Sequence, residues 1–399
     1  MKRGLKRTLL KPGSAEVCVG LVGLGNIGRL HARHLLEGLI PRARLVAVAD
    51  IEPTALQPFA ELACFNDPLA LIRSGVVDAV IIATPHYQHT PLGIAALRAG
   101  LHVMMEKPIS VDRFDCERLI AAHTDKRQMF AAMFNQRTNP RYQRLRTMVQ
   151  GGELGKIQRV AWTVTDWFRP QAYYTSSKWR ATWSGEGGGV LLNQCPHNLD
   201  LLYWIFGQPA RIRAFCKFGR HHRIETEDEV TTYLEYPDGA HCTFVTSTGE
   251  APGTNRLEVA GDNGRVIIEP GSFRYTRNTI PASHFSSTSQ EYYSAPPCED
   301  VPITIEGTGG QHREVLENFV RAILDGTPLI APAREGINSV EMANAMLLST
   351  WTNSAIELPL SAQRYRRILR QKIAASAIRT PQPAGQNVTK VTFEPASPA

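Results

Sequence analysis

The chain has 399 residues, of which 43% are hydrophobic and 20% charged, ordinary globular usage that excludes a disordered or fibrous polypeptide. That length supports two substantial cores, since a single core seldom grows past ~250–300 residues. The formal net charge of +7 gathers at the ends, in Lys2, Arg3, Lys6, Arg7 and Lys11 and in seven basic residues against Glu394 beyond residue 360; residues 12–360 are net acidic, so no nucleic-acid partner is expected.

After a flexible basic lead (1–14), short β-branched runs at 17–22, 45–49, 79–83, 102–105 and 129–133 alternate with helix-length segments. This spacing predicts a parallel sheet with helices on both faces and ligands outside the carboxyl ends of its strands, a Rossmann α/β domain over 15–137. A helix then runs to about residue 148, the turn Gly151-Gly152 follows, and alternating strands appear at 157–165, 210–217, 230–235, 242–247, 257–260 and 265–269. Pro237-Asp238-Gly239 and Asp262-Asn263-Gly264 supply hairpin turns. Helices return at 312–324 and 339–354. Residues 138–360 therefore read as an α+β domain with a large, mostly antiparallel open sheet, a C-terminal helix packing back on the first domain. Residues 361–399 read as a basic segment ending in a loose tail.

No apolar run approaches the ~20 residues of a membrane span, and no cleavable leader follows the basic start, so a cytoplasmic protein away from membranes is expected. The seven cysteines are odd in number and never closely paired, which argues against a disulfide framework or a thiolate zinc site. His31 with His34 and His221 with His222 lack a supporting carboxylate cluster and read as surface or helix-packing residues, so no metal is expected.

The first strand runs into Gly23-Leu24-Gly25-Asn26-Ile27-Gly28 and then a helix. Gly23 permits the tight turn, Gly25 lets backbone approach a pyrophosphate, and Gly28 lets helix and strand pack closely, with the helix N-terminus facing the anion. Asp50 ends the second strand, placed to accept hydrogen bonds from the adenosine ribose hydroxyls. Ile51 and Glu52 offer no cation for a 2′-phosphate, so NAD is expected over NADP.

Two more clusters fall at strand ends on the ligand side, Thr84-Pro85-His86-Tyr87-Gln88-His89 and Glu106-Lys107-Pro108. The Lys107 ammonium can steady the alkoxide of a substrate hydroxyl as hydride departs. In the second domain, Gly187-Gly188-Gly189 leads through Asn193 to Pro196, which suits the first turn of a helix, so His197 lies near a helix start. Dipole density there favours a neutral imidazole able to accept a proton. The competing reading of His197 is a buried histidine satisfied by Asp200. The ring-rich stretch 167–174, with Arg169 and Tyr174, suits carbohydrate as well as it suits core or a subunit contact; Asn193 could orient a sugar hydroxyl.

Taken together, Gly23-x-Gly25-x-x-Gly28, Thr84-Pro85-x-x-x-His89, Glu106-Lys107-Pro108, Lys178-Trp179-Arg180 and the run 187–200 resemble the Gfo/Idh/MocA family over about residues 15–358. The resemblance implies that Gly25, Asn26 and Ile27 meet the diphosphate and Asp50 the ribose. It places Thr84, Pro85, His89 and Glu106 on the nicotinamide half, with His86, Lys107 and Asn135 also on the cofactor. Trp179 and Arg180 match a loop closing over the nicotinamide, and Lys107 and His197 form the catalytic pair. Two positions depart from the family pattern: Asn193, where Asp is frequent, which removes a carboxylate from the proton relay, and His86, where Asn is common. The implied activity is NAD-dependent oxidation of a secondary hydroxyl on a sugar, glycoside or inositol-type polyol, with a tightly held cofactor. The alternatives are a redox-neutral glycoside lyase or hydrolase on the same site, needing a further base such as Tyr174, and a non-catalytic dinucleotide-sensing regulator. A homodimer or homotetramer is implied as well.

Overall fold

The computed structural model describes residues 15–376; the expectations for the lead at 1–14 and the tail at 382–399 lie outside the described residues. Six strands form the first sheet: β1 (Val17–Val22), β2 (Ala43–Ala49), β3 (Ala63–Phe65), β4 (Ala79–Ile82), β5 (His102–Met105) and β6 (Phe130–Ala132). All pair in parallel in the order β3-β2-β1-β4-β5-β6. The order reverses at β1 and β4, so a crevice opens at their carboxyl ends, where the glycine turn lies. Strands β1, β4 and β5 are apolar runs buried along almost their whole length, as a sheet covered on both faces requires.

The second sheet has nine strands: β7 (Ile157–Val164), β8 (Arg211–Phe218), β9 (Glu227–Glu235), β10 (His241–Ser247), β11 (Asn255–Gly261), β12 (Gly264–Glu269), β13 (Ser272–Asn278), β14 (Cys298–Val301) and β15 (Ile356–Glu357). Their order is β14-β13-β12-β11-β7-β10-β9-β8-β15, antiparallel except where β10 runs parallel to β7. In-pointing residues of β7, β9, β10 and β11, such as Val160, Trp162, Leu234, Phe244 and Val259, pack under the helices Pro196–Phe206 and Gly336–Thr352. The opposite face is polar and laced with ion pairs such as Arg159–Glu258 and Arg211–Glu235.

Sequence periodicity missed β3, β13, β14 and β15. The first and last are three and two residues long, too short for any period to register. Two helices late in the chain set where the cores divide. Helix His312–Asp325 lays Val315, Leu316, Phe319 and Val320 against Val17, Val19 and Leu21 of β1, so it belongs to the first core although it follows the second sheet in the chain. Residues 362–375, expected only as a basic segment, form a helix capped by the Ser361 side chain, which accepts from the Arg364 N–H. Its Tyr365 is buried and stacks on Trp351 at 5.5 Å.

The two sheets are locked by Arg137, wholly buried beside Phe134 and Trp204. Its guanidinium donates two bonds to Asp200 on helix Pro196–Phe206, at 2.8 and 2.6 Å, and one to Glu335 at 2.6 Å.

Candidate active site

The glycine turn has the geometry a diphosphate needs. Gly23 sits at φ 94°, and a Cβ there would lie 2.6 Å from the Ala83 carbonyl oxygen; one on Gly28 would lie 1.9 Å from that of Gly23. Gly25 is different: a Cβ there meets no protein atom within 4 Å. Two of the three glycines thus serve chain packing, and Gly25 faces open space in front of helix Asn26–Leu36, as Asn26 and half-buried Ile27 open that helix. Asp50 is held beside the turn by the N–H groups of Leu24 (2.7 Å) and Glu52 (2.9 Å).

Thr84, half-buried, and Pro85, exposed, stand at the end of β4. The Thr84 hydroxyl is buried without a protein partner, as are Oδ1 of Asn135 and Nδ1 of His197. An open glycine cradle and polar atoms left without partners fit a dinucleotide lying across the carboxyl ends of the strands. Asn135 also donates from Nδ2 to the Gly310 carbonyl, tying the site to the segment before helix His312–Asp325.

His89 is placed differently from the expectation that it meets nicotinamide. Both ring nitrogens lie against carbonyl oxygens, Pro108 at 2.7 Å and Thr84 at 2.8 Å, so the ring clamps the Thr84 and Lys107 loops together. His86 donates from Nδ1 to the Glu186 carbonyl at 3.1 Å and meets Trp179 edge to face at 5.6 Å, bringing the 179–180 loop onto the first domain. Glu106 is paired beneath the site: its Oε1 lies 2.7 Å from Nε2 of His31, and Oε2 accepts from the Lys107 N–H. Burial raises the Glu106 carboxyl, but the His31 bond and the charges of His31, His312 and Lys107 outweigh it and bring it down to about 2. His31, expected at the surface or in helix packing, is therefore a buried member of the site's foundation.

The Lys107 ammonium donates to the Asn193 carbonyl at 2.8 Å, across the gap between the two domains. Burial lowers its pKa, against the neighbouring charges of Glu106 and Glu186. His197 is 9% exposed, stands in the first turn of helix Pro196–Phe206, and meets Phe134 edge to face. Its ring has no hydrogen-bond partner among the described residues, because Asp200 is committed to Arg137; the satisfied-core reading of His197 fails. Burial first, and then the Lys107 charge, push its pKa well below the ordinary value.

Tyr174 does not face this gap: it is buried, with its hydroxyl 2.7 Å from that of Thr248. The neighbouring Tyr173 does, its hydroxyl donating to Asn193 Oδ1 at 3.2 Å and accepting from Arg180 at 2.7 Å and Gln194 at 3.3 Å. The Arg169 guanidinium lies over the same ring at 5.3 Å.

Sequence reasoning also missed Glu186, which is 1% exposed. It accepts from Asn193 Nδ2 and, at 2.6 Å, from the N–H of Ala181, a residue in the left-handed region at φ 49°. Burial pushes its carboxyl up to about 7. A single charged residue inside a glycine run was the one available signal. The carboxylate absent from position 193 is thus present against the Asn193 amide, supplied from seven residues upstream.

Among the described residues no helix is long and apolar enough to cross a membrane, and no group of three His, Cys, Asp or Glu side chains could hold a metal ion.

Comparison with known proteins agrees with this architecture. Residues 17–134 match a family described as the oxidoreductase family with an NAD-binding Rossmann fold, and residues 142–267 match the GFO/IDH/MocA C-terminal domain. The chain is 27% identical to an inositol 2-dehydrogenase of Rhizobium meliloti over 83% of its own length and 96% of the relative's. It is 23% identical to a levoglucosan dehydrogenase of Pseudarthrobacter phenanthrenivorans over 86% and 98%. The solved WlbA dehydrogenase of Chromobacterium violaceum, in complex with NADH and UDP-GlcNAcA, superposes with a TM-score of 0.75 at 25% identity, covering 89% of this chain and 100% of that one.

Proposed function

The chain belongs to the Gfo/Idh/MocA family of oxidoreductases, and we propose that it is an NAD-dependent dehydrogenase oxidising a secondary hydroxyl of a sugar or cyclic polyol. The observation that carries this reading is the placing of Lys107 and His197 at the interdomain gap: an ammonium bonded to the Asn193 carbonyl, and a buried imidazole with no hydrogen-bond partner among the described residues. When bound, the dinucleotide supplies the hydride-accepting ring. The rest falls to this chain. Lys107 can exchange its bond to the Asn193 carbonyl for one to the substrate oxygen and steady the developing alkoxide. His197, kept neutral by burial, takes the hydroxyl proton. Trp179 and Arg180 cover the site, and Asp50, already oriented by two backbone N–H groups, accepts from ribose hydroxyls and repels a 2′-phosphate, favouring NAD over NADP.

The named relatives are dehydrogenases of inositol and levoglucosan, which supports a cyclic polyhydroxyl substrate; nothing observed favours the redox-neutral or the regulatory alternative. Assembly as a homodimer or homotetramer through the open sheet face, and retention of the nucleotide through purification, complete the proposal. The test is NADH formation across inositols, hexoses, methyl glycosides and levoglucosan, with wild type, Lys107→Ala and His197→Ala. Each substitution is expected to lower kcat by ~10²–10⁴-fold while NAD still binds. Wild-type rates in both variants would end this reading.

A further inference from the structure

Several arginines on the polar sheet face are paired with carboxylates: Arg256 with Glu258 and Glu269, Arg211 with Glu235, Arg277 with Glu299. Around Tyr173 the pattern changes. Arg180 lies over the Tyr173 ring at 4.5 Å and Trp179 at 4.8 Å, donates to the Tyr173 hydroxyl, and keeps a buried Nε without a partner. Arg169 lies over Tyr173 at 5.3 Å and Trp167 at 5.6 Å, and its guanidinium donates to the Phe168 carbonyl. Neither guanidinium, nor the Lys107 ammonium three hydrogen bonds from Arg180 through Asn193 and Tyr173, is hydrogen-bonded or ion-paired to a carboxylate among the described residues. The carboxylates whose charge reaches these groups are bonded elsewhere, Glu106 to His31, Glu186 to Ala181 and Asn193, and Asp166 to Asn255.

Two guanidinium groups gathered about one ring, neither ion-paired to a carboxylate, favour an anion between them, and planar guanidinium groups match carboxylate and phosphate oxygens. The diphosphate already has its own cradle at Gly25, on the first domain. We propose that the substrate is an anionic carbohydrate, its carboxylate or phosphate held by Arg169 and Arg180 beside Tyr173, while Lys107 and His197 act on a hydroxyl of the same ring. This rests on the dehydrogenase reading above and narrows its substrate class.

The experiment uses the full chain with NAD and matched sets of sugars in the gluco, galacto and manno series: the hexose, its uronate, and its 1- and 6-phosphates. Turnover is followed as NADH, and binding to the NADH-loaded protein by quenching of tryptophan fluorescence. In at least one series an anionic member is expected to exceed its neutral partner by ~10- to 100-fold in kcat/KM or affinity; the uronate and phosphate arms tell which anion it is. Arg169→Gln is expected to abolish that preference. Oxidation of neutral sugars with no anionic preference overturns this inference and leaves the dehydrogenase reading intact. Absence of turnover with tight uronate or phosphate binding upholds the anion site and counts against the dehydrogenase reading. Arg169→Gln raising the KM for NAD without changing the sugar preference assigns the cations to the cofactor and also overturns it.

Discussion

Replacing Glu186 by Gln removes one ionisable group while keeping the shape of the site. The amide oxygen can accept the Ala181 N–H, and a turned Asn193 side chain can accept from the new NH₂; the Tyr173 hydroxyl, which already accepts from Arg180 and Gln194, then loses its acceptor at Asn193, a cost that does not vary with pH. The Glu186 carboxyl is pushed up from its ordinary 4.5 to about 7 by burial. At ~1.36 kcal/mol per tenfold change in proton affinity, that displacement is worth on the order of 3 kcal/mol. The sign follows from the raised folded-state value. Below the unfolded pKa both states are protonated and the full stability is present. As pH rises the unfolded chain ionises first, and stability is lost until the folded carboxyl has also ionised, near pH 7. Gln has no such loss. The stability of Glu186→Gln relative to wild type should therefore grow by roughly 3 kcal/mol between about pH 4.5 and about pH 8, measured as denaturant midpoints at a series of pH values. Glu227, also pushed up to about 7, by burial first and in small part by the Glu186 charge, titrates in both proteins; relief of that repulsion in Glu186→Gln acts in the same direction. A difference between the two proteins that stays flat over that range would refute the reasoning, because it would mean that Glu186 is ionised in the folded site throughout.

The two inner glycines should separate cofactor binding from folding: Gly25→Ala, whose Cβ meets no protein atom, should keep a near-wild-type melting temperature and lose at least ~10-fold in NAD affinity by titration, whereas Gly28→Ala, with a Cβ 1.9 Å from the Gly23 carbonyl oxygen, should melt earlier even without nucleotide. Arg137→Met leaves Asp200 buried without its partner and should cost ~3–5 kcal/mol by denaturant unfolding; Arg137→Met combined with Asp200→Leu should recover much of that loss. Asp50→Ala removes the ribose acceptor and the carboxylate opposing a 2′-phosphate, so the ratio of NAD to NADP affinity should fall by ~10-fold or more, measured by binding titration of both nucleotides.

The first domain was legible because its chemistry is local. A glycine turn sits between one strand and one helix, and Asp50 and Lys107 sit at strand ends, so strand alternation alone puts them on one rim. The second domain was legible in outline, through the alternation of β7, β9 and β10. Its site was not. Tyr173 and Tyr174 are adjacent and both pack with Ala181 and Ile224; what separates them is that the Tyr174 hydroxyl is turned onto Thr248 and the Tyr173 hydroxyl onto Asn193, a tertiary fact invisible in the order of residues. Helix 362–375 escaped for a related reason: its buried residues, Ala362, Tyr365 and Leu369, make a narrow stripe within a strongly basic segment, and charge dominates the reading.

The glycine run 187–189 shows how a local reading can point to the wrong cause. A Cβ on Gly189 would lie 2.0 Å from the Glu227 carbonyl oxygen, and one on Gly187, at φ 80°, would lie 2.1 Å from Cγ1 of Val111. The Glu227 carboxylate also accepts the N–H groups of Gly189 and Leu191, at 2.8 and 3.1 Å. These two glycines are therefore needed for close passage of the chain against β9 and the first domain, a constraint of packing and not of ligand contact. That passage reverses the backbone sharply enough for residue 186 to return to residue 193. A carboxylate supplied by Glu186 in this way is buried more deeply than one carried at position 193 on the rim of the gap. It would hold its proton closer to neutrality and pass charge only through the Asn193 amide. The site keeps a carboxyl group at the end of its hydrogen-bonded chain, and the proposal that His197 takes the first proton rests on its unpartnered nitrogen at the gap, since the deeply buried Glu186 carboxylate is bonded to Ala181 and Asn193.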